Sequence, residues 1–168
     1  GYPHRGQPIM LTEFGGIDIL VNNAGISRRY PIDQFPIAEW RHVIDVNLIA
    51  LFLCTRAVRH TLLPRGTGSM TNVAPIAGFV GRSTSNTAYV ASKAGVINLT
   101  RSFGVAWATH GVRVNAIAPA EMDTPLLDAL RLEPGALAER VARIPMGRIG
   151  QPRELIGCAR DRFFRAVA

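Results

Sequence analysis

The chain has 168 residues, enough for one domain with a buried core, and 48% hydrophobic with 18% charged residues is a globular composition, not a disordered one. No apolar run approaches the roughly 18 residues of a membrane span, and the N-terminus lacks the charged-then-apolar pattern of a signal peptide, so no membrane partner and a cytoplasmic location are expected. The formal net charge of +7 comes from arginines scattered from Arg28-Arg29 to Arg143 and beyond, with no dense basic tract, aromatic-interleaved strand or zinc-finger spacing, which argues against a nucleic-acid partner.

The first fourteen residues say little. Gly15-Gly16 then introduces Ile17-Asp18-Ile19-Leu20-Val21, an apolar run bounded by turn formers that reads as a buried strand. It stops at Asn22-Asn23-Ala24-Gly25, which is either an ordinary turn or the carboxyl edge of a parallel strand, where an open sheet leaves room for a ligand. From Pro36 to about His60 the residues Ile37, Trp40, Val43, Ile44, Leu48, Leu51, Phe52 and Val58 recur at helical spacing. Asn47 falls inside that helix, where an asparagine is usually solvated. A break at Pro64 to Gly68 precedes a second strand, Ser69 to Ala74, and a Gly-containing loop from Gly78 to Thr87.

A second long helix runs from about Asn86 to His110, with Val90, Ala94, Ile97 and Val105 expected on its buried side and Gly111 as its C-cap. Val112 to Ala118 is a third strand, closed by Pro119. Strands alternating with long helices give a parallel βαβαβ unit. An irregular stretch to Gly150 sits where a substrate lid would be, and a last amphipathic helix starts at Pro152, with Leu155, Ile156, Ala159, Phe163 and Val167 on one side. Cys54 and Cys158 lie on helical patterns without metal-ligand spacing, so buried packing is expected for both and no metal site for the chain.

Chemistry concentrates at Tyr89 and Lys93, spaced Y-x-x-x-K at the start of the second long helix. Residues four apart on a helix share a face, so a phenol and an ammonium meet in one site. A cation beside a tyrosine lowers a pKa ordinarily near ~10, which would bring proton exchange toward neutrality. Lys93 is also the only lysine of the chain; every other basic side chain of the lysine and arginine class is an arginine.

Asn22-Asn23-Ala24-Gly25 after a strand, Asn47 in the next helix, Tyr89-x-x-x-Lys93, and Val112 to Pro119 followed by Thr124 together resemble the short-chain dehydrogenases/reductases, over about residues 13 to 156. The resemblance implies an α/β fold, a Rossmann-like parallel sheet with flanking helices, incomplete, equivalent to the C-terminal half of a doubly wound domain. Residues 1–168 would form one partial domain: a βαβαβ core over 13–119, a substrate lid over 120–150 and a terminal helix over 151–168. It further implies NAD or NADP as cofactor, a small-molecule alcohol or ketone as substrate, and a homo-oligomer through the two long helices. By the same resemblance, Tyr89 would exchange a proton with the substrate oxygen, Lys93 would hold the nicotinamide ribose, and Asn47 would anchor a water leading to Lys93. Asn22, Ala24 and Gly25 would shape the sheet edge beside the cofactor, and Pro119, Met122 and Thr124 would touch its nicotinamide half.

Two departures from the family pattern point toward a catalytically silent interaction or structural subunit instead. Where the family carries serines at the end of the second strand, this chain reads Asn72-Val73-Ala74-Pro75, with Ser83, Thr84 and Ser85 in the following loop as conceivable replacements. The family's opening strand, glycine-rich phosphate turn and last strand have no counterpart in the sequence, which looks like a fragment with an open first-strand edge.

Overall fold

The computed structural model describes residues 13–80, 84–132 and 134–158. Its centre is a three-stranded parallel sheet, β1 (Ile19–Asn22), β2 (Gly68–Val73) and β3 (Val112–Ile117), in the order β1-β2-β3. Register is continuous across it: Leu20 lies beside Met70, and Met70 beside Val114. The first crossover is a single rod, Ile37–Arg65. It comprises α1 (Ile37–Ile44), a π turn (Asp45–Ile49) and α2 (Ala50–Arg65). The second crossover is α3 (Thr87–Ala108).

Both crossovers pack on one face of the sheet. Aligned parallel strands put Leu20, Met70 and Val114 on that face, where Met70 and Val112 form one core cluster with Val58 and Leu62 of the rod and Trp107 of α3. Contrary to the expectation from unbroken apolar runs, the rod is long and apolar enough to pass for a membrane span by length and composition, because its few charged residues are spread among apolar ones. One side of it, with Val43, Leu51, Val58 and Leu62, is buried in the domain, while Ile37, Ile49 and Phe52 are exposed. The rod continues through Pro64, beyond the expected stop, because a proline so close to the end displaces few hydrogen bonds; Gly66, at φ +64°, then caps it in the left-handed region.

Several expectations are corrected. The first strand is not buried: Ile19 and Val21 are 37% and 48% exposed, since they point to the face opposite the helices. The buried face of α3 is Ala88, Tyr89, Ser92, Lys93, Val96, Ile97, Thr100 and Trp107, whereas Ala94 is exposed and Val105 is 81% exposed. Counting only apolar residues misplaced that face, because half of its members are polar or titratable. Cys54 and Cys158 are both exposed, not packed. Two short helices, α4 (Asp128–Arg131) and α5 (Ala136–Ala142), interrupt the stretch after β3. At the C-terminal side a 3-10 turn, Pro152–Leu155, opens the expected helix, whose Ala159, Phe163 and Val167 lie outside the described residues.

Candidate active site

Tyr89 and Lys93 occupy the first turns of α3, both buried, at 7% and 4% exposure. The helix forces them onto one face, and the Lys93 Nζ lies 5.8 Å from the centroid of the Tyr89 ring. The ammonium donates to the backbone carbonyl of Val73, at 3.1 Å, where β2 ends. That contact fixes the pair against the carboxyl edge of the sheet. An ammonium carries three donors, so the Val73 carbonyl leaves it capacity for an oxygen-rich ligand.

Asn47 is 1% exposed, contrary to the solvated reading, and sits in the π turn of the rod. Such a turn sets one residue off the ordinary helical phase. Its Oδ1 accepts from the Ile26 backbone N–H at 2.8 Å, and its Nδ2 donates to the Ile26 carbonyl at 2.9 Å and to Ser92 Oγ at 3.0 Å. Ser92 donates in turn to the Tyr89 carbonyl at 2.7 Å. One buried amide thereby joins the loop after β1 to the helix that bears the tyrosine and lysine.

Gly25 closes the group. A Cβ on it would stand 3.2 Å from Lys93 Nζ and 3.4 Å from Asn47 Oδ1, so the missing side chain is what keeps a space beside both polar atoms. Ala24, its neighbour, is exposed at the same edge. Asn22 donates to Asn72 Oδ1 at 2.8 Å, and Asn72 donates to Thr100 Oγ1 at 2.9 Å, a polar chain that ties β1 through β2 to α3 below the site. On the far side, the Pro119 carbonyl accepts from the Ile76 N–H at 3.0 Å, which holds the end of β3 to the loop following Ala74-Pro75. Met122 and Thr124 lie beyond Pro119 on the stretch that follows β3. Met122 bridges to Gly150, and Thr124 Oγ1 contacts the Met122 carbonyl at 3.4 Å.

The electrostatics differ from the expectation of a tyrosine titrating near neutrality. Burial, with the nearby Glu121 carboxylate adding to it, pushes the Tyr89 phenol up to about 12. Burial lowers the Lys93 ammonium to about 8. Desolvation penalises the charged form of each group, and Lys93 stands over the ring, so it does not reverse that effect. At neutral pH the phenol therefore keeps its proton, the state required of a proton donor.

At the position of the family's serines, Ala74 is fully buried and Pro75 half-buried, and neither has a hydroxyl. Of the conceivable replacements, Ser83 lies outside the described residues, and Ser85 uses its carbonyl to accept from the Tyr30 N–H at 2.8 Å. Among the described residues no cluster of three or more His, Cys, Asp or Glu side chains could hold a metal. Sequence reasoning missed Glu121, Arg140, Ser92 and the Val73 carbonyl. The first two had no spacing signal, and the last is backbone.

Comparisons with known proteins bear on the family and the fold. A family model described as enoyl-(acyl carrier protein) reductase matches residues 9–160. A cis-4-hydroxycyclohexanecarboxylate dehydrogenase from Sinomonas cyclohexanicum is 44% identical over 146 residues, covering 86% of this chain and 57% of the relative. A 5-keto-D-gluconate 5-reductase from Escherichia coli is 43% identical over 147 residues, covering 88% and 58%. The solved gluconate 5-dehydrogenase from Burkholderia cenocepacia, in complex with NADP and tartrate, superimposes with a TM-score of 0.90 at 34% identity, covering 95% of this chain and 62% of that one. The chain thus spans less than two thirds of the length of these relatives. It belongs to the short-chain dehydrogenase/reductase family.

Proposed function

We propose that this chain carries the catalytic half of a nicotinamide-dependent oxidoreductase that moves a hydride between NAD or NADP and a secondary alcohol or ketone of a small molecule. The observation that carries the reading is the buried Tyr89–Lys93 pair held beside the cleared space at Gly25. The space and the donors fit the nicotinamide end of such a cofactor: Lys93 would hold the ribose hydroxyls and Asn47 would anchor a water beside it. Asn22, Ala24 and Gly25 would shape the sheet edge there, and Pro119, Met122 and Thr124 would flank the nicotinamide half. Bound dinucleotide would supply the hydride chemistry. Tyr89 would give its proton to the carbonyl oxygen as that oxygen becomes an alkoxide, and Lys93 would stabilise the resulting phenolate. A phenol protonated at neutral pH suits the reducing direction.

The same reading includes a cytoplasmic location and a homo-oligomer. The two long helices leave an apolar groove on their outer side, lined by Leu48, Ile49, Phe52, Leu99 and Val105. A second copy of the same groove is its natural cover, because an isologous contact pairs apolar helix faces with themselves.

A second reading, a catalytically silent subunit, is favoured by Ala74-Pro75. Loss of one hydrogen-bond donor at a developing oxyanion typically costs about 10²–10³ in rate. The deciding experiment follows NADH and NADPH consumption with 5-keto-D-gluconate and other small ketones. The oxidoreductase reading expects turnover that falls by at least about a hundredfold in Tyr89→Phe. Cofactor binding without turnover of any ketone would favour the silent subunit.

A further inference from the structure

Ser92 lies between Tyr89 and Lys93 in sequence and between two helices in space. It is fully buried, and a serine inside a helix gains nothing from propensity, so its hydroxyl has to account for its place. The Oγ donates to the Tyr89 carbonyl at 2.7 Å, one turn back on α3, and so spends its only proton. A lone pair remains, and it accepts from the Asn47 Nδ2 of the rod at 3.0 Å.

The direction of that hydroxyl agrees with the direction of the amide. Nδ2 faces α3, which leaves Oδ1 for the Ile26 N–H at 2.8 Å and for the space beside Gly25. A Cβ on Gly25 would stand 3.4 Å from Oδ1 and 3.2 Å from Lys93 Nζ, so two elements wall the space: Asn47 with the loop after β1 on one side, and Lys93 of α3 on the other. Packing brings the same two helices together close by. Gly95, three residues beyond Ser92, has no Cβ, and one placed there would lie 3.0 Å from both Leu48 methyl carbons. Apolar contact sets how closely the helices approach, and the hydrogen bond adds direction, because its donor and acceptor must be aligned.

We propose that Ser92 is a positioning residue: its hydroxyl docks the Asn47 amide, and with it the Ile26–Gly25 loop, on the turn of α3 that carries Tyr89 and Lys93, and so keeps the width of the space beside Lys93. Ser92 touches no reacting atom in this account; it acts through Asn47. The inference rests on the oxidoreductase reading for what fills the space, though not for its test. Without the hydroxyl the amide keeps its two bonds to Ile26 and loses its hold on α3, so amide and loop are free to shift as one piece relative to Lys93.

The test uses the full chain without ligand. Lys93 is its only lysine, so protein carrying isotope-labelled lysine gives a single ε-carbon NMR signal, whose titration reports the protonation of Nζ. The parent midpoint is expected at about 8, because burial disfavours the ammonium. Ser92→Ala should raise it by about half a pH unit or more, as water reaches Nζ through the widened space. The same variant should speed hydrogen exchange of the Ile26 amide by at least about tenfold, while amides in the middle of α3 keep their rates. Ser92→Thr, which keeps a hydroxyl able to make the same two bonds, should hold both signals near the parent. An unchanged midpoint with unchanged Ile26 exchange in Ser92→Ala would overturn the proposal and leave the hydroxyl a bond internal to α3. Equal changes in Val112→Ala would also overturn it, since that variant thins the core cluster at the opposite end of the strands, which includes neither Asn47 nor Lys93, and the signals would then follow general loosening. No cofactor or substrate enters either readout, so a failed oxidoreductase assay does not decide this one.

Discussion

Replacing Lys93 with methionine should stabilise the folded chain at neutral pH, and by an amount that disappears in alkali. Lys93 is 4% exposed, and its pKa is lowered from 10.5 to about 8 by burial. A depressed pKa means that the favourable contribution of the neutral amine is complete above 10.5 and is lost as pH falls through about 8. At about 1.36 kcal/mol per unit, the buried ammonium costs ~3 kcal/mol below that window. Methionine matches the length and removes the charge, but leaves the Val73 carbonyl without its donor, a loss of ~1 kcal/mol. The variant should therefore exceed the parent by about 2 kcal/mol at pH 7 and fall slightly below it near pH 10.5. Urea denaturation of both proteins at intervals from pH 7 to 10.5 measures the difference, and taking the difference cancels the other titrating groups. A difference constant across that range would refute the assignment of the burial cost to Lys93.

Tyr89 gives the opposite slope. Its pKa is raised from 10.0 to about 12, so its contribution is complete below 10 and is lost as pH rises through 12; Tyr89→Phe should abolish that alkaline loss in the same urea series. Asn47→Ala should cost roughly 3 kcal/mol, because it strands the Ile26 N–H and carbonyl and one bond to Ser92 in a buried place; a loss under about 1 kcal/mol by urea denaturation would show that the amide is dispensable. Gly78→Ala should destabilise by about 1–3 kcal/mol and lower the melting temperature, since its Cβ would lie 2.8 Å from the Lys93 carbonyl carbon and 2.8 Å from Ile97 Cδ1. On the oxidoreductase reading, Pro75→Ser should raise the rate of ketone reduction by up to about 10²–10³, measured as NAD(P)H consumption; an unchanged rate would place the limiting step elsewhere.

What the sequence made legible follows from where periodicity and spacing act. The three parallel strands and two long crossovers carry strong patterns, and Tyr89 and Lys93 met because helical geometry alone joins residues four apart. Asn47 and Gly25 could be named as candidates, but their roles could not be read locally. The burial of Asn47 depends on a π turn and on Ile26, twenty-one residues away, and the use of Gly25 depends on a lysine on another element. The buried side of α3 escaped notice because Ser92, Lys93 and Thr100 occupy it, satisfied by partners that no apolar count detects. The sign of the Tyr89 shift was also out of reach, for it is set by burial and by Glu121 on a distant loop. Spacing supplies the nearest charge, and the fold supplies the desolvation that outweighs it.

The central claim, that the space beside Gly25, Asn47 and Lys93 receives a nicotinamide cofactor, is tested most directly by thermal melts in millimolar NAD(H) and NADP(H), run on the parent chain and on Gly25→Val. A ligand that binds only the folded state stabilises it by RT ln(1 + [L]/Kd), about 2.7 kcal/mol at a hundredfold excess over Kd. The account predicts a raised melting temperature with at least one cofactor, lost in Gly25→Val while that variant still melts cooperatively. A cooperative melt of the parent that no cofactor moves, or a shift that survives in Gly25→Val, would contradict it.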